Sequence, residues 1–231
     1  MTLKDEIQSI GDWPTNGDLI VDVAALGWLD DALTVLDATY GHGGFWTKYR
    51  PALLTGVDLN PAKSPYGEAV DFRRMPFADR SFDVVVLDPP YKLNGTPSLA
   101  GFDASYGVDV PSNWQDRMQV IADGTRDCAR VARKHLLVKC QDQVVSGKMR
   151  WQTDLVTEVA YAAGFRKADR FDFRSSGIPQ PDGRRQVHAR HGVSQLLVFT
   201  RGRQDNGVEL STGPVRETAI TEAVIPSAYG R

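Results

Sequence analysis

The run Phe82-Asp83-Val84-Val85-Val86-Leu87-Asp88 constrains the fold more than any other part of the sequence. It is nearly all apolar and rich in valine, which favours a β-strand. A strand that is apolar at consecutive positions is buried on both faces, as in the parallel sheets of α/β proteins. Because such a sheet is covered by helices on both sides, this run predicts an α/β fold.

Further strands and helices alternate along the chain. Strands are predicted at Leu33–Asp37, Leu53–Asp58, Ala69–Phe72, His135–Cys140, about 167–174 and about 193–200. Helices are predicted after the glycine-rich turn that follows Leu33–Asp37, from Ser112 as the cap to about Arg133, and from about Thr153 to Ala163, ended by Gly164. This order predicts a mostly parallel, seven-stranded sheet that closes with an antiparallel hairpin.

The length of 231 residues suits one domain, which we place at residues 1–203. Within it we expect an N-terminal packing segment (1–30), a lid loop without periodicity (92–111) and a basic loop (174–192), followed by a loosely held tail (204–231). No apolar run approaches the length of about 18 residues that a membrane span needs, and the N-terminus is acidic where a signal peptide is basic. We therefore expect a cytoplasmic protein without membrane contact.

The cysteines and histidines do not form a recognisable framework. Cys128 and Cys140 have no CxxC spacing, and the four histidines are scattered. Neither a disulfide framework nor a structural zinc site is predicted, so both thiols are expected to be reduced and inert, and no metal is expected.

The formal net charge of −2 conceals an asymmetry along the chain. Residues 1–125 carry 9 basic and 18 acidic side chains, whereas residues 126–203 carry 16 basic and 7 acidic ones. The second segment, with a net charge of +9, is suited to face a polyanion, although solvated helix faces explain such charge equally well.

Two strand ends have the residues of a cofactor site. The first strand ends in Asp37 and is followed by Thr39-Tyr40-Gly41-His42-Gly43-Gly44, where glycines allow a ligand to approach the backbone. Asp58 ends the next strand, at the place from which an acidic side chain accepts hydrogen bonds from ribose hydroxyls. A tight turn and a loop-capping aspartate are the alternatives for these two features.

Asp88-Pro89-Pro90-Tyr91 follows the most hydrophobic strand. The two prolines lack backbone donors and fix the chain, so that preceding carbonyls project outward beside Asp88. A carboxylate and a carbonyl can accept the two N–H bonds of a planar amine, and the ring of Tyr91 can stack on the ring that bears the amine. The motif therefore indicates a binding site for an aromatic amine.

The ordered set formed by Asp37–Gly44, Asp58, Asp71-Phe72 before Met75-Pro76-Phe77, and Asp88-Pro89-Pro90-Tyr91 resembles the class I methyltransferases that use S-adenosylmethionine (SAM). Among them it is similar, over about residues 30–200, to the amino-methyltransferases of nucleic acids. Its cofactor motifs come before the Asp-Pro-Pro-Tyr motif, which is the γ order of these enzymes. The resemblance implies a Rossmann-like fold. The sequence departs from many DNA enzymes at Thr39-Tyr40, and it has no recognition domain of the usual size.

The resemblance also implies roles for individual residues. The target amine would be held by Asp88, Pro89, Pro90 and Tyr91. The methionine part of SAM would lie at Asp37 and the turn, the ribose at Asp58 and the adenine at Asp71 with the backbone of Phe72; the cofactor-binding set is Asp37, Thr39, Tyr40, Gly41, Gly43, Asp58, Leu59, Asp71 and Phe72.

Basic residues near the predicted site are candidates for binding nucleic acid through its phosphates. They are Lys92, Lys139, Arg150, Arg174, Arg184, Arg185 and Arg190. A solvated hairpin loop, and a helix entry with Trp151 in the core, are the alternatives for the segments that contain them.

The function that the sequence predicts is methyl transfer from SAM to an exocyclic amine of DNA, with N6 of adenine favoured and N4 of cytosine next. An RNA base amine is the alternative substrate, and a nucleic-acid-binding module with a non-catalytic core is an alternative of a different class. The sequence leaves the target context, the oligomeric state and the biological role open.

Overall fold

A computed structural model describes residues 7–93, 113–174, 187–189 and 191–202 of the chain. Within these ranges the α-helices are α1 (Asn16–Ala25), α2 (Trp114–Val131) and α3 (Gln152–Ala162). The strands are β1 (Ile10–Gly11), β2 (Val35–Asp37), β3 (Leu54–Gly56), β4 (Phe82–Leu87), β5 (Ala132–Cys140), β6 (Gln143–Val145), β7 (Lys148–Arg150), β8 (Phe165–Arg174) and β9 (Val193–Arg201).

Seven of these strands form one sheet, in the order β1-β8-β9-β5-β4-β2-β3. The pairs β1/β8, β2/β3, β2/β4 and β4/β5 are parallel, whereas β9 runs antiparallel to both β5 and β8. Val84, Val85, Val86 and Leu87 of β4 are fully buried, as expected for a strand covered on both faces. The predicted α/β class, with a mostly parallel seven-stranded sheet and a terminal antiparallel hairpin, is confirmed.

The seventh strand is not the one that the sequence predicts. Ala69–Phe72 forms only an isolated parallel bridge, between Ala69 and Asp58. The chain turns away there because the carboxylate of Asp71 accepts the Arg73 N–H at 2.9 Å and the Asp71 carbonyl accepts the Arg74 N–H at 2.9 Å. The seventh member is instead β1, whose two residues pair with β8 and are too few to show a period in the sequence.

The N-terminal packing segment contains the helix α1, which the sequence analysis did not predict. Thr15 and Asp18 form a capping box, in which each side chain accepts a hydrogen bond from the other residue's backbone N–H. Leu19, Ile20 and Val23 on one side of α1 are fully buried in the cluster that also contains Val84 and Val86 of β4. The capping box was the sequence signal for this helix.

The helices α2 and α3 pack against each other, and their buried residues share a second apolar cluster with side chains of β4, β5 and β9. The cap of α2 is Asn113, whose side chain accepts the Asp116 N–H at 2.8 Å, and not the predicted Ser112, which lies outside the described residues. The helix ends at Val131, where β5 begins without a loop. Gly164, with φ +84°, ends α3 as predicted.

The predicted helix after the glycine turn is reduced to a short 3-10 helix, Gly44–Trp46. Pro51 disfavours helical backbone at the residue before it, and β3 begins at Leu54, so there is little room for a longer helix. A two-residue turn, Ser146-Gly147 with φ of 51° and 76°, joins β6 and β7 into a hairpin that was not predicted.

Candidate cofactor and amine site

Charged side chains lie along the carboxyl edge of the sheet, at the ends of four neighbouring strands. In the order β5, β4, β2, β3 they are Lys139, Asp88, Asp37 and Asp58. Val138 pairs with Leu87, so the following residues, Lys139 and Asp88, are neighbours across β5 and β4. The fold therefore brings together the three aspartates predicted for the site and adds a cation beside Asp88.

The glycine turn is built on the carboxylate of Asp37. One oxygen accepts the Thr39 N–H at 2.9 Å, and the other accepts the indole N–H of Trp46 at 2.6 Å. Gly41 and Gly43 have positive φ values of 55° and 69°, which favour glycine. Asp37 and these glycines therefore fix the path of the turn.

Burial raises the pKa of Asp37 from 3.8 to about 7, and the nearby negative charges of Asp88 and Asp58 act in the same direction. The hydrogen bonds from Thr39 and Trp46 oppose this shift. A cation bound beside Asp37 would favour its ionised form.

Asp58 lies where the sequence analysis places it and is almost fully buried. Its carboxylate accepts the Gly41 N–H and the Asn60 N–H, each at 2.8 Å. Asp58 therefore joins the glycine turn to the end of β3. Because a carboxylate has about four lone-pair positions, these two bonds leave acceptor capacity for ribose hydroxyls. Leu59 follows and is half-buried.

Asp71 and Phe72, the predicted adenine site, have different surroundings. The carboxylate of Asp71 forms an ion pair with Arg73 at 2.6 Å, and the hydrogen bond from Arg73 lowers the pKa of Asp71. It lines a cleft of about 590 Å³ that is otherwise formed by charged residues of the 71–74 segment and α2. The ring of Phe72 is buried against Gly124 of α2.

The motif Asp88-Pro89-Pro90-Tyr91 is connected to the glycine turn. The Asp88 N–H donates to the hydroxyl of Thr39 at 2.8 Å. This bond gives a structural role to one of the residues at which the sequence departs from many DNA enzymes. Tyr40, the other, lies over Gly56, and its hydroxyl accepts from Arg50 at 2.9 Å.

Two glutamines that the sequence analysis missed hold the end of this motif. The side-chain amides of Gln143 and Gln152 donate to the carbonyl of Tyr91 at 2.7 Å and 2.6 Å. Gln152 is fully buried, and its oxygen also accepts the Gln141 N–H at 3.3 Å. The start of α3 and the β6 strand therefore fix the backbone beside the ring that is predicted to stack on the target.

Asp88 is half-buried at the end of β4. This burial raises the pKa of Asp88, and the positive charge of Lys139 lowers it. The negative charge of Asp88 in turn raises the pKa of the neighbouring Asp37. The site thus contains a desolvated acceptor next to a buried cation.

Lys139 is only 4% exposed, so it does not lie on the surface where a phosphate contact was predicted. Its ammonium donates to the side-chain oxygen of Asn16 at 2.7 Å. The rings of Phe45, Tyr91 and Phe173 surround it, with centroids 5.6, 6.0 and 5.0 Å from Nζ.

Three of the other basic residues predicted to bind nucleic acid, Lys92, Arg150 and Arg174, lie among the described residues. Lys92 is exposed, and Arg174 is exposed at 3.9 Å from Asp12. The guanidinium of Arg150 lies over the ring of Trp114, with its carbon 3.6 Å from the centroid. Arg184, Arg185 and Arg190 lie outside the described residues, as do the lid beyond Leu93, most of the basic loop and the tail.

Trp151 is 48% exposed and contacts the ring of His191 edge-on, so it is not a core residue. Cys128 and Cys140 are both free and buried, and burial raises the pKa of each thiol. None of the described helices has the length and apolar character needed to cross a membrane.

No protein-family model matches the sequence, and no curated protein matches it significantly. The fold, however, has solved neighbours. Magnesium protoporphyrin IX methyltransferase from Synechocystis, crystallised with S-adenosylhomocysteine (SAH), aligns with a TM-score of 0.51 and 12% identity over 81% of each chain. The same enzyme with SAM aligns at 0.50 and 14%, over 81% of this chain and 78% of that one.

TrmN from Thermus thermophilus aligns with a TM-score of 0.50 and 12% identity, over 80% of this chain and 48% of that chain. At such identities the similarity concerns the fold alone. The chain has the Rossmann-like fold of the class I SAM-dependent methyltransferases, and the magnesium protoporphyrin IX methyltransferase with this fold was crystallised with SAM and with SAH.

Proposed function

We propose that this chain transfers a methyl group from SAM to an exocyclic amine of a nucleic-acid base, with N6 of adenine in DNA favoured and N4 of cytosine next. The observation that carries the proposal is the hydrogen bond of 2.8 Å between the Asp88 N–H and the Thr39 hydroxyl. It joins the amine-binding motif to the glycine turn, so that an amine at Asp88 and a cofactor over the turn are neighbours.

The residues of the turn fit SAM. A Cβ at Gly41 would have its nearest neighbour at 3.9 Å, and one at Gly44 would meet nothing within 4 Å, so a ligand can approach the backbone there. The carboxylate of Asp37 suits the ammonium of the methionine part, and that of Asp58 suits the ribose diol. By the resemblance of the motifs, Asp71 and the backbone of Phe72 would hold the adenine.

SAM supplies a methyl group on a sulfonium, which is an excellent leaving group. The protein therefore mainly has to align the amine lone pair with the methyl carbon, at a near-attack distance of about 3 to 3.5 Å. An exocyclic amine is conjugated with its ring and is a poor nucleophile. Hydrogen bonds from its N–H groups to the Asp88 carboxylate and the Pro89 carbonyl favour the pyramidal nitrogen and stabilise its developing positive charge.

Tyr91 supplies the stacking surface in this mechanism, and its backbone is fixed by Gln143 and Gln152. As the N–C bond forms, the nitrogen loses one proton, which the Asp88 carboxylate can take because it accepts that N–H. A base inside a duplex reaches such a pocket only when it is flipped out, and stacking on Tyr91 then replaces the lost stacking in the duplex.

The test is methyl transfer from tritiated SAM to DNA and to RNA, followed by mass spectrometry of the nucleosides. Label in N6-methyladenine or N4-methylcytosine of DNA supports the proposal. Label in RNA alone would mean that the substrate is RNA, the alternative, and not DNA. SAM binding without transfer to either polymer supports the non-catalytic binding module and refutes the proposal.

Asp88→Ala and Asp88→Asn test the motif itself. Loss of one electrostatic partner of a transition state typically costs about 10²- to 10³-fold in turnover, and both variants should show it while SAM binding survives. Asp79→Asn is the matched control, because the Asp79 side chain is 75% exposed. Wild-type turnover in both Asp88 variants would contradict the assignment; loss only in the alanine variant would mean that Asp88 acts by positioning and not by charge.

Because nucleic acid is the proposed partner, we expect its binding to depend on the salt concentration, although the chain is acidic overall. The basic segment 126–203 should displace counterions from the polymer, and charge reversal of Arg184 and Arg185 should lower the affinity and flatten its dependence on salt. If neither quantity changes in fluorescence anisotropy titrations, the basic loop is only a solvated surface.

A further inference from the structure

Lys139 is a buried cation whose hydrogen-bonding capacity is not used up. A lysine ammonium has three N–H donors. Among the described residues, it donates one hydrogen bond, to Asn16. Buried polar groups are normally satisfied, so the remaining donors point to a ligand that the bare chain does not supply.

The aromatic surroundings hold this ammonium in place without satisfying its donors. Phe45, Tyr91 and Phe173 come from three different parts of the chain, and each ring centroid lies within about 6 Å of Nζ. Such ring faces attract a cation and partly compensate its loss of water. A well-packed apolar side chain would avoid that loss altogether, so packing alone does not explain a lysine here.

On the sheet, Lys139 lies on β5, next to β4 and the amine motif, and β2 lies beyond β4. Its ammonium also lies near the ring of Phe45, which directly follows the glycine turn. Its nearest strand-end neighbour is Asp88, by the pairing of Val138 with Leu87. The same ammonium lies near the ring of Tyr91. A base that stacks on Tyr91 and presents its amine to Asp88 would have the ammonium at its edge.

We propose that Lys139 is a specificity residue that donates a hydrogen bond to the unprotonated ring nitrogen next to the target amine. This inference rests on the proposed function and names its substrate class. Asp88 offers an acceptor to the amine, and Lys139 offers a donor to its neighbour. Adenine has this pattern at N6 with N1 or N7, and cytosine has it at N4 with N3. An amine that lacks the flanking acceptor leaves the buried donor unpaired and is selected against.

The experiment combines changes in the enzyme with changes in single atoms of the substrate. DNA is made with adenine, 1-deazaadenine or 7-deazaadenine, in which one ring nitrogen is replaced by CH; if cytosine is the methylated base, 3-deazacytosine is used. Methyl transfer is measured as kcat/KM for the wild type, Lys139→Met and Lys139→Gln. Lys167→Met, at an exposed position of β8, is the matched control.

The wild type should lose about 10- to 100-fold on one deaza analogue, the effect of one hydrogen bond to a charged group. Lys139→Met should lose a similar factor on natural DNA and show almost no further loss on that analogue. Lys139→Gln, which keeps an N–H donor, should retain part of the discrimination, and Lys167→Met should behave as the wild type. The wild-type comparison remains decisive if Lys139→Met does not fold, because it needs no variant.

Equal wild-type rates on natural and deaza substrates would overturn the inference and leave the proposed function intact. The inference is also overturned if Lys139→Met retains the discrimination, or if its loss of rate is matched by an equal loss of SAH affinity in calorimetry, which would assign Lys139 to the cofactor. If the wild type methylates no nucleic acid, the proposed function itself fails and this inference falls with it.

Discussion

Asp37→Asn is expected to remove a pH dependence from the folding stability of the ligand-free protein. The buried carboxyl has a pKa of about 7, against 3.8 for an unperturbed aspartate. A pKa that is raised by folding means that the folded state binds the proton more tightly. The stability linked to this proton is complete below about pH 4 and is lost as the pH rises through about 7.

The magnitude follows from the difference of about 3 pKa units, each equivalent to about 1.4 kcal/mol. The full effect is about 4 kcal/mol, of which about 2.5 kcal/mol falls between pH 5 and pH 8 by linkage. Asparagine does not titrate in this range. The asparagine side chain keeps one oxygen acceptor for the two donors, Thr39 and Trp46. The loss of hydrogen-bonding energy caused by the substitution is therefore independent of pH.

The assay is urea unfolding of the wild type and Asp37→Asn at several values between pH 5 and pH 8, with Asp79→Asn as a surface control. The difference in unfolding free energy between the wild type and Asp37→Asn should fall by about 2.5 kcal/mol over this range. Asp88 remains in both proteins, so only the part of its titration that is coupled to Asp37 contributes to the difference. Parallel curves, within about 0.5 kcal/mol, would refute the reasoning that the Asp37 carboxyl is held protonated by burial.

Three further variants test other contacts. Asp58→Ala should weaken SAH binding by about 1.5 to 3 kcal/mol, the range for hydrogen bonds to a charged group, and unchanged calorimetric affinity would remove Asp58 from the cofactor site. Gln152→Leu should slow methyl transfer more than it weakens SAH binding, because the Tyr91 carbonyl loses a donor at 2.6 Å; equal effects on both would show a role in folding only. Gly124→Ala should lower the unfolding free energy by about 1 to 3 kcal/mol, because its Cβ would overlap the ring of Phe72; an unchanged thermal unfolding curve would mean that the ring moves aside at little cost.

The sequence by itself determined the sheet and the acidic edge of the site. Consecutive apolar residues mark β4 as a buried parallel strand, and Asp37, Asp58 and Asp88 each stand at or just after the end of a strand. Parallel strands have their carboxyl ends at one edge, so these aspartates had to meet there. That argument needs only local pattern and the handedness of the connections, both of which can be read from the sequence.

Other features depended on contacts between segments that are distant in the chain. The seventh strand of the sheet is Ile10–Gly11 and not Ala69–Phe72. This choice depends on the turn at Asp71 and on the free edge of β8, and neither of them has a periodic signal in the sequence. From the sequence alone, Lys139 is predicted to be a surface cation. It is buried because it contacts Asn16 of α1, 123 positions away in the chain, and three aromatic rings from other parts of the chain. Local patterns specify which strands form, but only the packed structure decides which side chains are enclosed together, because that depends on the elements that cover each face of the sheet.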